Sequence, residues 1–519
     1  MGDWSGTLVA DYDYKPVMPR VTECSGCSVI STRLLVAWSP DVAEPVNSHS
    51  HMAVQIQRSG SYKKSFVSIN WPSPSFCSIV QLTDTKRKYL AAQPSKYSSR
   101  IGIINASGDE VQPALSPANP VAIIEYLEQA FSSWIAKELQ ETGTTQIEGR
   151  TVAKPSWIIE DLFNGGVSLA CKDVHNLPVV TWWSTTAASL ISQQGNKENG
   201  HGGRIYEHLV QQKGTPPAEL SKIYLESFSD RLVCIPGLPV HHEWELVTQY
   251  LPFAPPLVSS LAARRENMLK YIDAMICCTT LEMEPISAGA LSNALSQPLS
   301  PFFIGPAVDL PSPQQPDPDS PVTQFLDRTY AEKGSHSVVY VAFGTVFFPP
   351  PSSTSHLMAA LDEIPKAGLR FIFALSSRGA QVDQSWIDAH IRAGNAIFPE
   401  WTNQTQVLEH PVGLLDPSDQ PANASQIASV HNCGFELLQV RTGPAKSAAY
   451  RNGAEVKIVG SDDAVREEMR GILELTKGPR GEHQRANTRL LGKAIANSLA
   501  PGGSADIELE KFGKMMGLL

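Results

Sequence analysis

Four side chains within one short stretch could bind a ligand that combines a planar ring with a separate group bearing vicinal hydroxyls. Residues 401–426 read WTNQTQVLEHPVGLLDPSDQPANASQ. The indole of Trp401 offers a flat face for stacking, and Gln404, about one helical turn later, could hydrogen-bond the edge of the stacked ring. Asp419 and Gln420 place a carboxylate beside an amide, which suits vicinal hydroxyl groups. Two other interpretations stay open, namely a core tryptophan at 401 and a turn aspartate at 419.

A second candidate contact lies at the end of a predicted strand. The apolar run 338–343, VVYVAF, is typical of a strand buried on both faces. Phe343, Gly344 and Thr345 stand at its carboxyl end, where open α/β sheets bind their ligands. Because glycine has no side chain, a ligand can approach the backbone closely at Gly344.

The chain divides at a proline-rich segment. Residues 305–322 read GPAVDLPSPQQPDPDSPV, which lacks hydrophobic periodicity and suits a semi-rigid linker. Before it, the spacing of apolar residues predicts a helix that begins after Pro120. Apolar runs at 157–159 and 178–182 predict two buried strands in the same part of the chain.

The part after the linker repeats this strand–helix–strand order. Runs at 338–343 and 370–375 predict parallel strands, and 355–364 predicts the helix between them. The order on both sides indicates an α/β fold of two Rossmann-like, doubly wound domains that face each other across a cleft. We predict an N-terminal domain at 1–304, a linker at 305–325, a C-terminal domain at 326–495 and a helical tail at 496–519.

Composition excludes several classes of protein. The 519 residues carry a formal charge of -10, which argues against nucleic-acid binding, because binding phosphates requires a clustered basic surface. No run reaches the roughly 18 apolar residues of a membrane helix. The first 30 residues lack a basic start followed by an apolar core, so we expect no secretory signal and a cytoplasmic location.

Cysteine spacing and missing motifs narrow the chemistry further. Of eight cysteines, only Cys24 and Cys27 have metal-type spacing, and no second pair follows at zinc-site distance, so we predict no metal site. No G-x-G-x-x-G follows a strand, and the P-loop, H-E-x-x-H and G-x-S-x-G patterns are absent from the sequence. The missing glycine fingerprint argues against a nicotinamide-dependent oxidoreductase, the weakest hypothesis that we considered.

The W-x-x-Q and D-Q patterns, together with the Phe343–Thr345 turn, resemble the UDP-dependent glycosyltransferases of plants and fungi. Further matching segments lie at 155–163, 279–285 and 304–306. The resemblance implies a GT-B fold with the acceptor in the N-terminal half and the UDP-sugar in the C-terminal half. It also implies that Trp401 stacks on uracil, that Gln404 binds the uracil edge or the ribose, and that Asp419 and Gln420 bind the sugar. No metal and no separate cofactor are implied, since the UDP-sugar is a co-substrate.

The sequence departs from the family pattern at the place where the donor diphosphate binds. In the family an H-C-G-W-[NS]-S segment lies between the W-x-x-Q and D-Q patterns, whereas here Trp401 and Asp419 are 18 positions apart. Residues 431–435, HNCGF, are similar only superficially to the missing segment and follow the D-Q pair. Three interpretations remain open: another group binds the diphosphate, activity is impaired, or the sequence omits a segment.

The resemblance also indicates a catalytic histidine and its carboxylate partner. The pKa of histidine lies near neutrality, so it can remove a proton from an acceptor hydroxyl, and a carboxylate can orient it. No clean G-H-x-x-P turn is present. His51, which precedes an apolar run after the predicted strand at 33–38, pairs best with Asp161, 110 positions later. Several alternatives remain open. His49 could be the base, or this region could contain no functioning base. His51 could be a solvated loop residue, and Asp161 could end a strand or cap a helix.

The function that the resemblance implies is transfer of a hexose or pentose, plausibly glucose or xylose. The acceptor would be a hydroxyl of a lipophilic small molecule, for instance a terpenoid-type secondary metabolite, and transfer would proceed with inversion. We expect acceptor contacts from the N-terminal half, including residues 241–244, HHEW. The alternative is an impaired or non-catalytic binding module that keeps the fold, which the shortened donor motif favours.

Overall fold

The computed structural model describes most of the chain from residue 120 onward and several short strands before it. The described residues are 34–37, 54–56, 65–67, 76–79, 101–104, 120–140, 145–147, 150–152, 155, 157–161, 165, 167, 171–172, 176–195, 219, 222–223, 229–246, 254–295, 299–306, 317–343, 348–349, 351–376, 380–402, 407, 413–415, 421–441 and 448–517. Residues 307–316 of the predicted linker lie outside these ranges, so the predicted domain boundaries stay predictions.

The strands form two main sheets and several two-stranded ribbons. In chain order they are β1 (Leu34–Ala37), β2 (Val54–Ile56), β3 (Ser65–Val67), β4 (Phe76–Ile79), β5 (Ile101–Ile104), β6 (Thr145–Ile147), β7 (Arg150–Val152), β8 (Trp157–Asp161), β9 (Val179–Trp183), β10 (Leu232–Val233), β11 (His241–His242), β12 (Ala274–Cys277), β13 (Pro301–Phe303), β14 (Val338–Ala342), β15 (Arg370–Ala374), β16 (Ala396–Ile397), β17 (Gly413–Leu415), β18 (Ala448–Arg451) and β19 (Ala454–Lys457).

The helices connect these strands and close the chain. They are α1 (Pro120–Gln140), α2 (Ala187–Gln194), α3 (Ala254–Tyr271), α4 (Pro285–Ala294), α5 (Pro321–Lys333), α6 (Pro351–Leu361), α7 (Glu363–Lys366), α8 (Gln384–Arg392), α9 (Pro421–Ser425), α10 (Asp462–Lys477), α11 (Pro479–Leu499) and α12 (Ser504–Met515). A 3-10 turn spans Glu243–Leu246, and a π-helical turn, Gln426–Val430, continues α9.

The N-terminal sheet has the strand order β13-β12-β9-β8-β1-β4-β5. All of its strands share one direction except β1, which runs antiparallel to β4 and β8. Trp182 and Trp183 show that β9 is covered on both faces, because Trp182 packs in one hydrophobic cluster with Trp157 and Trp183 in another with Met275. This burial explains why the strand appears in the sequence as a continuous apolar run.

The C-terminal sheet is fully parallel, with the order β16-β15-β14-β17. Alternate residues of β14 enter different clusters: Val339 and Val341 face α6 and α10, and Val338 and Tyr340 face α5. Helices therefore cover both faces, as the doubly wound architecture requires. The apolar runs at 338–343 and 370–375 thus predicted β14 and β15 correctly.

The helix predicted at 355–364 is interrupted. The structure has α6 from Pro351 to Leu361 and then the separate single turn α7, which contains Pro365. Proline has no N–H to donate to the carbonyl four residues earlier, so the hydrogen-bond ladder of α6 cannot continue through position 365.

The last helix returns to the N-terminal half. Phe512 of α12 is fully buried and packs edge-on against Trp157, at 6.1 Å, and against Phe302, at 5.4 Å. Ser504, at the start of α12, donates a hydrogen bond to Glu282 Oε1 at 2.6 Å. The predicted tail is therefore helical and forms part of the N-terminal hydrophobic core.

Candidate functional site

Three of the predicted donor segments begin at one edge of the C-terminal sheet. In the order β16-β15-β14-β17 the winding direction reverses between β14 and β17, and open α/β sheets bind ligands at such a switch point, beyond the carboxyl ends of the strands. Phe343 follows β14 directly, Trp401 comes four residues after Ile397 at the end of β16, and Asp419 comes four residues after Leu415 at the end of β17. Parallel pairing brings the carboxyl ends of β14, β16 and β17 to the same edge.

The structure describes two of the nine candidate side chains, those of Phe343 and Trp401. The candidates outside the described residues are His51, Gly344, Thr345, Gln404, Asp419 and Gln420. Of Asp161 the structure describes the backbone, which ends β8 opposite Trp182 of β9, at the carboxyl edge of the N-terminal sheet. The roles assigned to all these residues therefore stay predictions.

Trp401 presents a large aromatic surface at this edge. Its side chain is 40% exposed, so the alternative interpretation as a core tryptophan is wrong. Phe343 differs, because its ring packs edge-on against Phe348, at 5.8 Å, and Phe373, at 6.1 Å. The side chain of Phe343 thus belongs to the aromatic core, and a donor contact at this position would come from the backbone.

The N-terminal sheet contributes the start of α2, directly after β9. The side chain of Thr186 caps this helix by accepting a hydrogen bond from Ser189 N at 3.2 Å. The carboxylate of Glu284 accepts two more, from Ala187 N at 3.0 Å and Ala188 N at 2.9 Å. Burial raises the pKa of Glu284, and the two N–H donors oppose that rise. Helix α2 is therefore firmly fixed at the carboxyl edge of its sheet.

Helix α9 connects the donor segment to that N-terminal edge. It begins at Pro421, the residue after Gln420 of the predicted sugar-binding pair. Thr186 Oγ1 donates a hydrogen bond to Asn423 Oδ1 at 3.3 Å, across the two halves of the molecule. The helix that directly follows the D-Q pair thus contacts the loop after β9, which places the carboxyl edges of the two sheets close together.

The π-helical turn extends this contact. Gln426 Nε2 donates to the carbonyl of Met283 at 2.9 Å, and His431 Nε2 hydrogen-bonds the same carbonyl at 2.8 Å. That nitrogen of His431 is engaged with the backbone and cannot also donate to a phosphate. This contact agrees with the expectation that residues 431–435 are similar only superficially to a phosphate-binding segment.

A cluster of four buried charges joins the two halves, and sequence analysis did not predict it. We call Glu245, Glu436, Arg441 and Arg451 the interdomain cluster. Glu245 accepts hydrogen bonds from Arg441 Nη1 at 2.8 Å and Arg451 Nη1 at 2.6 Å, and Arg451 also donates to Glu436 at 2.6 Å. The two carboxylates balance the two guanidinium groups, so the cluster carries no net charge.

The environment of Glu245 stabilises its charged form. Its side chain is 2% exposed, and such burial alone would raise its pKa. Hydrogen bonds from the Tyr450 and His242 backbone N–H groups, together with Arg451 and Arg441, outweigh this effect and hold the pKa below its ordinary value. Nothing in the local sequence marks Glu245, because its partners lie about 200 positions later.

Residues 241–244 do not line an acceptor site. All four are buried, and Trp244 packs in a hydrophobic cluster with Leu438, Ala449 and Ile458 of the C-terminal half. His242 stacks on Trp244, with ring centroids 5.8 Å apart. The expectation of acceptor contacts here is wrong, because this segment docks one half of the chain on the other.

Within the part of the chain that the structure describes, no three His, Cys, Asp or Glu side chains are grouped so that they could hold a metal ion. No helix among the described residues combines the length and the apolar character that crossing a bilayer demands.

Sequence comparison finds relatives that are named UDP-glycosyltransferases. No protein-family model matches the chain. UDP-glycosyltransferase eriJ of Hericium erinaceus is 26% identical over 278 residues, which cover 45% of this chain and 54% of the relative. UDP-glycosyltransferase 74C1 of Arabidopsis thaliana is 22% identical over 293 residues, which cover 50% and 58%. The chain thus matches little more than half the length of each.

Solved structures show the fold. UGT71G1 of Medicago truncatula, complexed with UDP-glucose, superposes with a TM-score of 0.55 at 16% identity, covering 84% of this chain and 88% of that one. UGT2 of Phytolacca americana, complexed with UDP-2fluoro-glucose and pterostilbene, gives 0.54 at 15% identity, covering 84% and 90%. The predicted GT-B fold and the resemblance to plant and fungal UDP-glycosyltransferases are both confirmed.

Proposed function

We propose that this relative of the UDP-glycosyltransferases transfers a sugar from a UDP-sugar to a hydroxyl of a lipophilic small molecule. The observation that carries the proposal is the parallel alignment of β14, β16 and β17, whose carboxyl ends lie at one edge of the sheet and precede the Phe343, Trp401 and Asp419 segments in the sequence. The exposed indole of Trp401 supports a stacking role at this edge.

The donor side would work by stacking and hydrogen bonding. Trp401 stacks on the uracil, a kind of contact that contributes about 1–3 kcal/mol for bases in general. Gln404 binds the uracil edge or the ribose, and Asp419 and Gln420 bind the sugar hydroxyls. The backbone around Gly344 and Thr345 approaches the donor closely. No metal is needed in this scheme, and UDP-glucose and UDP-xylose are the donors that we favour.

The transfer step would use the acceptor side. His51 removes the proton from the acceptor hydroxyl while the oxygen attacks the anomeric carbon, and the bond from that carbon to the diphosphate oxygen breaks. Asp161, at the carboxyl edge of the N-terminal sheet, orients the histidine and stabilises the imidazolium that forms. In-line attack inverts the configuration at the anomeric carbon, and UDP leaves.

The acceptor class is proposed from the relatives and from the resemblance. Two further sequence relatives are named for crocetin and anthocyanidin, and the Phytolacca americana structure contains pterostilbene. These similarities support a small organic acceptor, of which a terpenoid-type secondary metabolite is one candidate. A location in the cytoplasm would suit both substrates.

A non-catalytic binding module is the second candidate. The 17 residues between Trp401 and Asp419 do not contain the family's diphosphate-binding segment. Charge-assisted hydrogen bonds contribute about 1.5–3 kcal/mol each, so the loss of two or three would weaken donor binding by several orders of magnitude. Under this hypothesis the chain binds an acceptor-like ligand without transfer.

Thermal unfolding with added ligands tests the proposal. We expect UDP, UDP-glucose and UDP-xylose to raise the unfolding midpoint, with about 2.7 kcal/mol of stabilisation at a hundredfold excess over Kd, and NAD to leave it unchanged. Mass spectrometry of a panel of hydroxylated lipophilic acceptors should then detect the glycosylated product. Binding without product would favour the non-catalytic module, and stabilisation by NAD alone would contradict the proposal.

A further inference from the structure

The chain before Trp401 is anchored to the C-terminal sheet. Phe398, directly after β16, packs edge-on against Phe371, at 5.8 Å, and against Trp386, at 5.6 Å. Leu375 N donates a hydrogen bond to the carbonyl of Pro399 at 2.9 Å, which extends the pairing of β15 and β16 by one bond. Trp401 therefore follows a segment that is fixed by both its backbone and its side chain.

The chain after Trp401 is anchored by a pair of hydroxyl groups. Thr402 is 4% exposed, and its Oγ1 lies 2.7 Å from the hydroxyl oxygen of Tyr340, which is 7% exposed. Tyr340 is the central residue of β14, paired with Ile372 on one side and Leu415 on the other. Since β15 separates β14 from β16, this bond ties the segment after β16 to the middle of the sheet.

The indole of Trp401 is thus exposed while the residues on both sides are held. A stacking surface gains affinity when it is already ordered before the ligand binds, because less conformational entropy is then lost on binding. Thr402 is the residue bonded directly to Trp401, so its side-chain hydrogen bond fixes the peptide from which the indole projects. The hydrogen bond between Thr402 and Tyr340 is therefore suited to orienting the indole, in addition to its contribution to core packing.

We propose that Tyr340 and Thr402 are positioning residues for the donor site, and that their hydroxyl pair holds Trp401 in the orientation that accepts the uracil. The inference rests on the proposed function. Neither hydroxyl needs to touch the donor, because both act through the backbone at 401. Through this pair, β14 helps to fix the orientation of Trp401, and Trp401 in turn determines the preference of the site for a planar base.

A set of four variants separates positioning from simple stability. Thr402→Val and Tyr340→Phe each leave one buried hydroxyl without this partner, so both should lower the midpoint of thermal unfolding. The double variant removes both hydroxyls and should regain most of that midpoint. If the pair orients Trp401, the affinity for UDP measured by calorimetry should stay about five- to tenfold weaker in the double variant. Thr476→Val, which removes a hydroxyl bonded to Leu473 O in α10, should leave UDP affinity unchanged.

A fifth variant, Trp401→Ala, distinguishes failure of the positioning role from failure of the donor site. In that background Thr402→Val should weaken UDP binding no further, because the threonine acts through the indole. Wild-type affinity in the stable double variant, or a further loss in the Trp401→Ala background, would overturn the positioning role. If UDP fails to bind the wild-type protein, or binds Trp401→Ala equally well, the proposed donor site itself is wrong.

Discussion

Glu245 Oε2 lies 2.6 Å from Arg451 Nη1, and this buried ion pair joins the N-terminal half of the chain to the C-terminal half. Around it, Trp244 packs against Leu438 and Ala449, so charge and apolar surface are buried together at the same junction. The two sheets meet through this junction and through the Thr186–Asn423 contact. Both joints fix the relative position of the two edges that the proposed transfer requires.

Removing the charge of Glu245 should destabilise the protein strongly. Glu245→Gln leaves two guanidinium groups with less compensation in a buried site, which typically costs about 3–5 kcal/mol. The expected result is a clear fall in the midpoint of thermal unfolding. Glu332→Gln is the matched control, because Glu332 pairs with Arg370 but is 48% exposed, and its loss should cost less than about 1 kcal/mol. If the two variants lowered the unfolding midpoint equally, the buried ion pair of Glu245 would not stabilise the protein more than an exposed one.

The same carboxylate should make stability depend on acid pH. Its pKa is held below the ordinary value in the folded chain, so the unfolded state binds the proton more readily. The stabilisation is therefore complete above about pH 5 and is lost as the pH falls from about 4.3 through the lower folded pKa. The difference in unfolding midpoint between wild type and Glu245→Gln should be constant from pH 7 to 5 and shrink below. A difference that grows in acid would reverse this assignment.

The C-terminal helix should be essential to the N-terminal core. Phe512 is fully buried between Trp157 and Phe302, and its replacement by alanine should cost about 3–5 kcal/mol through lost burial and the cavity left behind. Met515→Ala, on the same helix but 44% exposed, should change the free energy of unfolding by no more than about 0.5 kcal/mol. Chemical denaturation of both variants checks this, and a tolerant Phe512→Ala would show that the tail is dispensable.

The acceptor histidine can be identified by kinetics. His51→Ala should lower kcat by roughly 10²–10⁴ while the affinity for UDP stays unchanged, because a general base acts on the acceptor and not on the nucleotide. His49→Ala serves as the neighbouring control and should retain nearly full turnover. If only His49→Ala lowered kcat, His49 would be the base. Full activity in both variants would show that neither histidine acts as the base.

The secondary structure was largely predictable because burial on both faces leaves a strong pattern. Val338–Ala342 and Arg370–Ala374 are continuous apolar runs, and both are central strands. The helix predicted at 355–364 is divided in the structure into α6 and α7. The spacing of apolar residues does not show that Pro365 lacks an N–H for the carbonyl four residues earlier.

Contacts between the halves were not predictable from one sequence. Residues 241–245 combine histidines, acids and a tryptophan, which suggests a binding surface. His242, Trp244 and Glu245 instead contact residues near position 450. The hydrogen bond between Tyr340 and Thr402 was equally unpredictable, because tyrosine and threonine are common in buried strands and at their ends. Only the folded chain shows which polar groups meet.

The most direct test of the donor site compares UDP with UDP-glucose in two variants by calorimetry. Trp401→Ala should weaken both ligands by the same factor, about 5- to 150-fold, because the indole contacts the base that they share. Asp419→Asn should weaken UDP-glucose and leave UDP unchanged, because the carboxylate contacts the sugar. That pattern would place the indole and the carboxylate on one bound UDP-sugar. Unchanged UDP binding in Trp401→Ala, or an Asp419→Asn variant that binds the two ligands in the wild-type ratio, would contradict it.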